Sequence, residues 1–137
     1  MSKAITDAIY AQLIASQGAG TLHAAVSGRI YHVVAPENAT LPLVVFGAVS
    51  SQPSVNFDGS TTETVRVEFT VYGQGFEAGA AAAQAIDDKL LAAIEGQVLS
   101  PTGYDRLTIR CESRGVASAV EDAVGITSVY RCVGTRY

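Results

Sequence analysis

The chain has 137 residues, of which 48% are hydrophobic, and it carries a formal net charge of −4 at pH 7. This length and apolar content predict one domain over residues 1–137 that buries a sizeable core. The nine Lys and Arg residues are scattered through the chain, which disfavours strong nucleic-acid binding, because neutralising phosphates requires a basic face.

Membrane and secreted classes are also disfavoured. No apolar run approaches the roughly 20 residues needed to cross a bilayer, and the N-terminus lacks a basic start followed by an apolar block. We therefore expect no membrane span, no secretory signal and a cytoplasmic site of synthesis. Cys111 and Cys132 show neither CxxC nor Cys/His spacing, and they are predicted to be reduced, buried packing residues.

The first third of the chain is predicted to form one helix and two strands. Ile5, Ile9 and Leu13 recur at helical spacing, which indicates a helix over residues 3–16 with an apolar side that docks on a surface. A short strand is expected over residues 29–34, and it is followed by a proline-containing break. Residues 43–50, LVVFGAVS, are nearly all apolar and predict a strand that is covered on both faces or lies in the middle of a sheet.

Residues 51–61 contain many turn-forming residues and are expected to form the projecting tip of a long hairpin. Two apolar residues, Val55 and Phe57, lie on this polar tip. A loop that meets a partner has a reason to carry such residues, whereas the alternative is that both side chains fold back on the sheet edge.

The stretch over residues 62–96 changes period in its middle and is the centre of the predicted fold. Apolar residues first alternate, as in a strand with one buried face, at Val65, Val67, Phe69 and Val71. They then recur at helical spacing, at Phe76, Ala80, Ala83, Ile86, Leu90 and Ile94. The helix is expected to end at Gly96 and to cover the sheet, with Asp87 and Asp88 on its solvated face.

The remaining residues predict two further strands, over residues 104–113 and 126–137, joined by a polar loop of small residues over 114–125. Glu121 and Asp122 lie in this loop. The element order is helix, three strands, helix and two strands. We therefore expect an α+β fold, with an antiparallel or mixed sheet of about five strands and two helices packed on one face.

The sequence contains no pattern typical of a catalytic, cofactor or metal site. His23 and His32 lack partner spacing, and Gly73-Gln-Gly75 lacks the remaining residues of a phosphate loop. Two carboxylates at Glu121 and Asp122 fall short of the roughly 6 to 8 oxygen ligands that calcium takes. The chain is therefore expected to be no enzyme and to hold neither cofactor nor metal.

The layout as a whole resembles the tail terminator or tail completion proteins of long-tailed phages, prophages and gene-transfer particles. The resemblance covers essentially the whole chain. It is carried by Gly28-Arg29-Ile30-Tyr31 with Ala35-Pro36 and Leu41-Pro42, by Phe76-Glu77-Ala78 at the start of the second helix, and by the closing segment 125–137.

This resemblance implies a structural virion protein that closes into a hexameric ring on the head-proximal end of the tail tube. Such a ring stops tube polymerisation and offers a docking surface to the head-completion or stopper protein, while DNA passes through its lumen without specific binding. It would be assembled in the cytoplasm of the bacterial host. The expected contacts with neighbouring subunits or the tube lie on the tip and on the loop, at Val55, Asn56, Phe57, Asp58, Glu121 and Asp122.

Two alternatives remain open at the level of sequence. The nearer one is another neck or tail component, such as a stopper or a tube-like protein. The farther one is a small-molecule-binding domain with a cavity between helix and sheet, which requires polar groups on faces where the alternation places apolar residues.

Overall fold

The computed structural model describes residues 3–15, 18, 20–36, 39–74, 77–101, 103–120 and 123–136. These residues form three helices and six strands in the following order: α1 (Lys3–Leu13), α2 (Leu22–Ala25), β1 (Ile30–His32), β2 (Leu43–Val55), β3 (Thr61–Gln74), α3 (Glu77–Ile94), β4 (Val98–Leu99), β5 (Tyr104–Val120) and β6 (Ala123–Arg136).

The strands form one mixed sheet in the order β1-β2-β3-β6-β5-β4. Strand β1 pairs with β2 in parallel, and all other neighbours are antiparallel. The predicted α+β class is confirmed, with six strands instead of about five. The additional elements α2 and β4 span four and two residues, which is too short for a periodic pattern to appear in the sequence.

The core lies between α3 and one face of the sheet. The alternating residues of β3 are buried, and Ala83, Ile86, Leu90 and Ile94 of α3 are buried against them, as the two periods predict. Phe76 and Ala80 of the predicted stripe lie outside the part whose side chains are described. In the middle of the sheet the rings of Phe46, Phe69 and Tyr130 contact one another at centroid distances of 5.5 and 5.3 Å.

The ends of two elements depend on residues with positive φ. Gly96 follows α3 with φ 72°, and its N–H donates to the carbonyl oxygen of Ile109 at 2.9 Å, so the predicted helix end is confirmed. Strand β1 is shorter than expected, because Val33 adopts a φ of 71° directly after it. Positive φ in a β-branched residue is rare, and it turns the chain away from the sheet.

The opposite face of the sheet is open, which corrects the expectation that β2 is covered on both faces or central. Val44 and Phe46 are buried, whereas Val45 is half-buried and Val49 is 55% exposed. Strand β2 lies second from the edge of the sheet. Its apolar outer side chains therefore line an uncovered surface.

The predicted loop over residues 114–125 is wrong, because most of it is strand. Strand β5 continues to Val120 and β6 begins at Ala123, and the two pair down to Val120↔Ala123. The residues over 116–120 lack an alternating pattern. Their strand conformation is provided by pairing with β6, which the local sequence does not reveal.

Bulges interrupt the β2–β3 and β5–β6 ladders but not the β3–β6 ladder between them. The β2–β3 register shifts between Ala48 and Ser50, and the β5–β6 register shifts on both sides of Ser113. The β3–β6 ladder runs without a shift from Thr61↔Arg136 to Gln74↔Ala123. Strands β3 and β6 therefore form the regular centre of the sheet.

Asp87 is fully buried, contrary to the prediction that it lies on a solvated helix face. Its carboxylate accepts hydrogen bonds from Ser128 Oγ at 2.8 Å and from Arg114 Nη2 at 2.7 Å. The neighbouring Asp88 is exposed as predicted, and its carboxylate accepts from the same guanidinium at 2.8 Å. The charge of Asp87 is accommodated because β5 supplies a cation and β6 a hydroxyl donor.

We expect the substitution Phe69→Asp to abolish the native fold, and Ala83→Glu to act in the same way. Each places an unpaired charge between α3 and the sheet, with a loss of about 4 kcal/mol or more in the free energy of unfolding. Urea titration followed by circular dichroism measures this loss. The adjacent substitution Thr70→Asp on the open face is the matched control, and it should cost less than about 1 kcal/mol.

The adjacent aspartates of α3 provide a second matched pair. Asp87→Ala should lower the free energy of unfolding by about 3 kcal/mol, because it leaves the buried Ser128 hydroxyl and the Arg114 guanidinium without their shared acceptor. Asp88→Ala should cost less than about 1 kcal/mol, as for other exposed ion pairs. Equal losses in denaturant titrations of the two variants would contradict the anchoring role of Asp87.

Candidate assembly surface

The tip of the β2–β3 hairpin is a short turn over residues 56–60. The N–H of Asn56 donates to the carbonyl oxygen of Ser60 at 2.8 Å, and the N–H of Gly59 donates to that of Asn56 at 3.1 Å. Gly59 has a φ of 88°, as expected where a type I turn closes a three-residue loop. The strands thus extend further into the predicted tip region than expected, and only residues 56–60 form the turn.

Polar side chains fix this turn from within. The amide of Asn56 donates to Ser60 Oγ and to Thr62 Oγ1, both at 3.0 Å. One carboxylate oxygen of Asp58 accepts from the backbone N–H of Ser60 at 2.9 Å and also from its hydroxyl. These hydrogen bonds from Ser60 lower the pKa of Asp58. The carboxylate therefore stays charged, and its contribution to the turn is lost only as the pH falls through this lowered value.

Val55 and Phe57 project from the fixed turn into solvent. Val55 is 78% exposed and Phe57 is fully exposed, so neither folds back on the sheet edge. An exposed aromatic residue on a pre-ordered turn loses little conformational entropy when it is covered, which is the arrangement of a binding anchor. The tip can therefore present one apolar group to a partner in a fixed orientation.

The last described pair of the β5–β6 hairpin, Val120 and Ala123, lies at the other end of the sheet. The first tip adjoins Thr61 at the start of β3, whereas Ala123 of the second hairpin pairs with Gln74 at the end of β3. The intervening 14 residues of β3 correspond to a length of about 45 Å. Glu121 and Asp122, the predicted contact residues of the second tip, lie outside the described residues.

Besides Asp87, a second buried carboxylate lies near the tip of the first hairpin. Glu63 is 5% exposed and accepts from the Tyr104 hydroxyl at 2.8 Å and from the Ser51 hydroxyl at 2.9 Å. Neither carboxylate was predicted from the sequence to be buried. Their positions in the sequence indicate burial. Glu63 lies on the same side of its strand as Val65, and Asp87 lies between Ala83 and Leu90 on the apolar stripe of the helix.

Groups with reactive chemistry are not gathered into a site. Among the described residues no set of three His, Cys, Asp or Glu side chains could hold a metal ion. Cys132 is buried and Cys111 half-buried, and both thiols are free. Burial raises the pKa of Cys132 to about 12 and also raises that of Cys111, so both thiols are protonated at neutral pH and are poor nucleophiles.

Shallow cavities lie at the helices and on the open face. The cavity beside α1, α2 and α3 has a volume of about 340 Å³ and is lined mainly by small and apolar groups, with Lys89 at its side. Lys89 donates to the carbonyl oxygen of Gly20 at 3.1 Å. No helix in the described part of the chain is both long and apolar enough to span a membrane. The most distinctive surface feature is therefore the exposed hairpin tip.

Comparisons with known proteins identify relatives of this chain. A family model described as "Tail completion protein gp17" matches residues 7–124. No curated protein sequence matches the chain. A solved chain from the "Virion of native gene transfer agent (GTA) particle" has the same fold, with a TM-score of 0.81 and 23% identity over 96% of this chain and 94% of that chain.

A second solved chain has a related fold, with a TM-score of 0.63 and 11% identity over 100% of this chain and 98% of the other. At these identities the structural matches establish the fold. The family match covers most of the sequence and agrees with the resemblance seen in its motifs. The chain therefore belongs to the tail completion protein gp17 family, and it is a structural protein of a phage-type tail.

Proposed function

We propose that this chain forms a ring of six copies on the head-proximal end of the tail tube in the virion. The ring stops tube polymerisation and provides the docking surface for the head-completion or stopper protein. Membership of a tail completion family supports this role, and so does the shared fold with a chain of a gene transfer agent virion.

The observation that carries the proposal is that the described parts of the β2–β3 and β5–β6 hairpins end at opposite ends of one sheet. A protein that ends a tube and receives a second component must offer contacts in two directions. Phe57 on its fixed turn provides an apolar anchor in one of them. The second tip, with Glu121 and Asp122, provides the other contact.

The acidic net charge of the chain, −4, suits passage of DNA without a grip on it. On the open face Arg66 Nε lies 3.0 Å from Glu112 Oε2, which neutralises part of the positive charge there. Transit of DNA through the ring would therefore not depend on its sequence.

Reconstitution with the tail-tube protein of the same particle tests the proposal. We expect tubes grown in the presence of this protein to be short, capped at one end and unable to elongate, as seen by negative-stain microscopy. Light scattering of the protein alone and of the mixture reports the mass of the ring. Continued elongation of tubes with unchanged length would contradict the proposal and favour a stopper or a tube-like protein.

The tip is tested with Phe57→Ser. This change removes an exposed ring and no packing, so the melting temperature should stay within about 2 °C of the unsubstituted protein. Capping should weaken by at least about tenfold in the concentration required, as for the loss of a binding anchor. Phe57→Tyr retains the ring and is the matched control. A loss of thermal stability as large as that of Phe69→Asp would show that the tip does not project.

A further inference from the structure

Strands β2 and β5 are each paired on their outer side by a short edge strand, β1 or β4, for only part of their length. At the β2 edge, the N–H of Val44 donates to the carbonyl oxygen of Arg29 at 3.0 Å, and that of Val33 donates to Phe46 at 2.8 Å. Strand β1 ends there. Within the described part of the chain, no strand pairs with the outer side of β2 beyond this point.

The β5 edge shows the same arrangement at the opposite end of the sheet. Strand β4 pairs with Leu107 and Thr108, Ile109 exchanges hydrogen bonds with Gly96 and Gln97, and the Glu95 carboxylate accepts from the N–H of Cys111. From residue 112 to 120, no described strand lies on this side. On each edge, the outward backbone groups are therefore hydrogen-bonded up to a defined residue and have no described strand as partner beyond it.

The registers give the direction of the backbone groups on the open β5 edge. Directly opposed residues of an antiparallel ladder either bond each other or both point away. The backbone N–H and C=O groups of Val44 face β1, so those of its β3 partner Val71 face β6 and bond Ile126. Because the backbone groups of Ile126 face β3, they face away from its β5 partner, Ala117. The N–H and C=O groups of Ala117, and those of Ala119 two residues on, therefore face outward.

The two open edges differ in their protection against pairing. Residues 116–120, VASAV, contain neither charge nor proline, the devices that natural edges use to prevent strand addition. Strand β2 carries a bulge between Ala48 and Ser50, and also Pro53, which lacks an N–H for pairing. Between the two, Ser50 bonds its partner Arg66, so the backbone groups of Ser51 face outward and are available for pairing.

We propose that the β5 edge at residues 116–118 pairs in antiparallel fashion with the β2 edge at residues 50–52 of a second copy, so that the outward groups of Ala117 and Ser51 bond each other and position 118 lies opposite position 50. This inference rests on the ring proposed above and names the contact that closes it. The two edges are unlike surfaces on opposite sides of one sheet. Their union is a head-to-tail contact, which repeats from copy to copy and closes into a ring.

Strand polarity supports a second copy as the occupant. Strands β2, β3, β6 and β5 alternate in direction across the sheet, so β2 and β5 run antiparallel to each other. A copy related by rotation alone therefore presents its β2 to β5 with the polarity that an antiparallel ladder needs. Each copy then adds four strands to a continuous sheet.

The stagger between the edges is also of the size that closed sheets require. Ser50 aligns through Arg66 with Arg131, whereas Ser118 aligns with Gly125, six residues away on β6. This stagger of about 20 Å over four strands about 4.8 Å apart gives a strand tilt of about 45°. Closed barrels have tilts of roughly 35–45°. The proposed pairing is therefore compatible with ring closure.

Disulfide trapping tests the register. We expect the double variant Ser50→Cys, Ser118→Cys to form, under mild oxidation, a ladder of covalent oligomers that extends beyond the dimer on non-reducing gels. The matched control is Ser54→Cys, Ser118→Cys, whose thiols would lie about 13 Å apart along the strand and should not cross-link. The single variants report any background from Cys111 and Cys132.

Two outcomes of this trapping experiment would overturn the inference. Cross-linking of the Ser54 pair in place of the Ser50 pair would contradict the register. A dimer formed by Ser118→Cys alone would show that two β5 edges pair with each other.

A proline substitution tests the proposed strand pairing separately from the existence of the ring. Ala117→Pro removes the outward N–H that faces Ser51 in the proposed register and should leave the melting temperature within a few degrees, while light scattering and microscopy show loss of the ring. Ser118→Pro removes an N–H that faces β6 and should instead destabilise the hairpin. If Ala117→Pro forms rings like the unsubstituted protein, the pairing is wrong and the ring stands. If the unsubstituted protein forms no ring, alone or with tubes, the proposed function fails and the pairing fails with it.

Discussion

Burial of the α3 stripe against β3 and β6 is the interaction on which the rest of the fold depends. Ala83, Leu90 and Ile94 are fully buried there, and helix α1 packs on α3 through its own apolar side. Because side chains alternate along a strand, a slip of one residue would turn the buried set of β3 to solvent. This contact therefore fixes the register of the sheet, and with it the positions of both hairpins.

The central part of the fold could be predicted from local periodicity. Alternation in β3 and helical spacing in α3 are properties of consecutive residues, and both were read correctly. The extension of β5 to Val120 was not predictable, because its strand conformation depends on β6, which follows later in the chain. Asp87 was misplaced and Glu63 was overlooked for another reason. Their positions pointed inward, but their burial depends on donors from distant strands.

Part of the candidate site could be predicted because it has apolar residues in an otherwise polar segment. Val55 and Phe57 stood out as apolar residues on a polar turn, and both are exposed. The hydrogen bonds that hold Asn56 and Asp58 require the geometry of the turn and were not visible in the sequence. The contact roles of Glu121 and Asp122 stay a prediction. The family resemblance of the motifs agrees with the family that matches residues 7–124.

The placement of the bulges has a consequence for shape. The ladder between β3 and β6 is unbroken over its whole length, whereas the two flanking ladders each contain register shifts. Bulges bend and twist a strand, and a regular ladder resists both. The height of the molecule between its two ends is therefore set by β3 and β6. Bending can adjust in β2 and β5, so copies in the proposed ring would fit a slightly larger or smaller diameter without a change in this height.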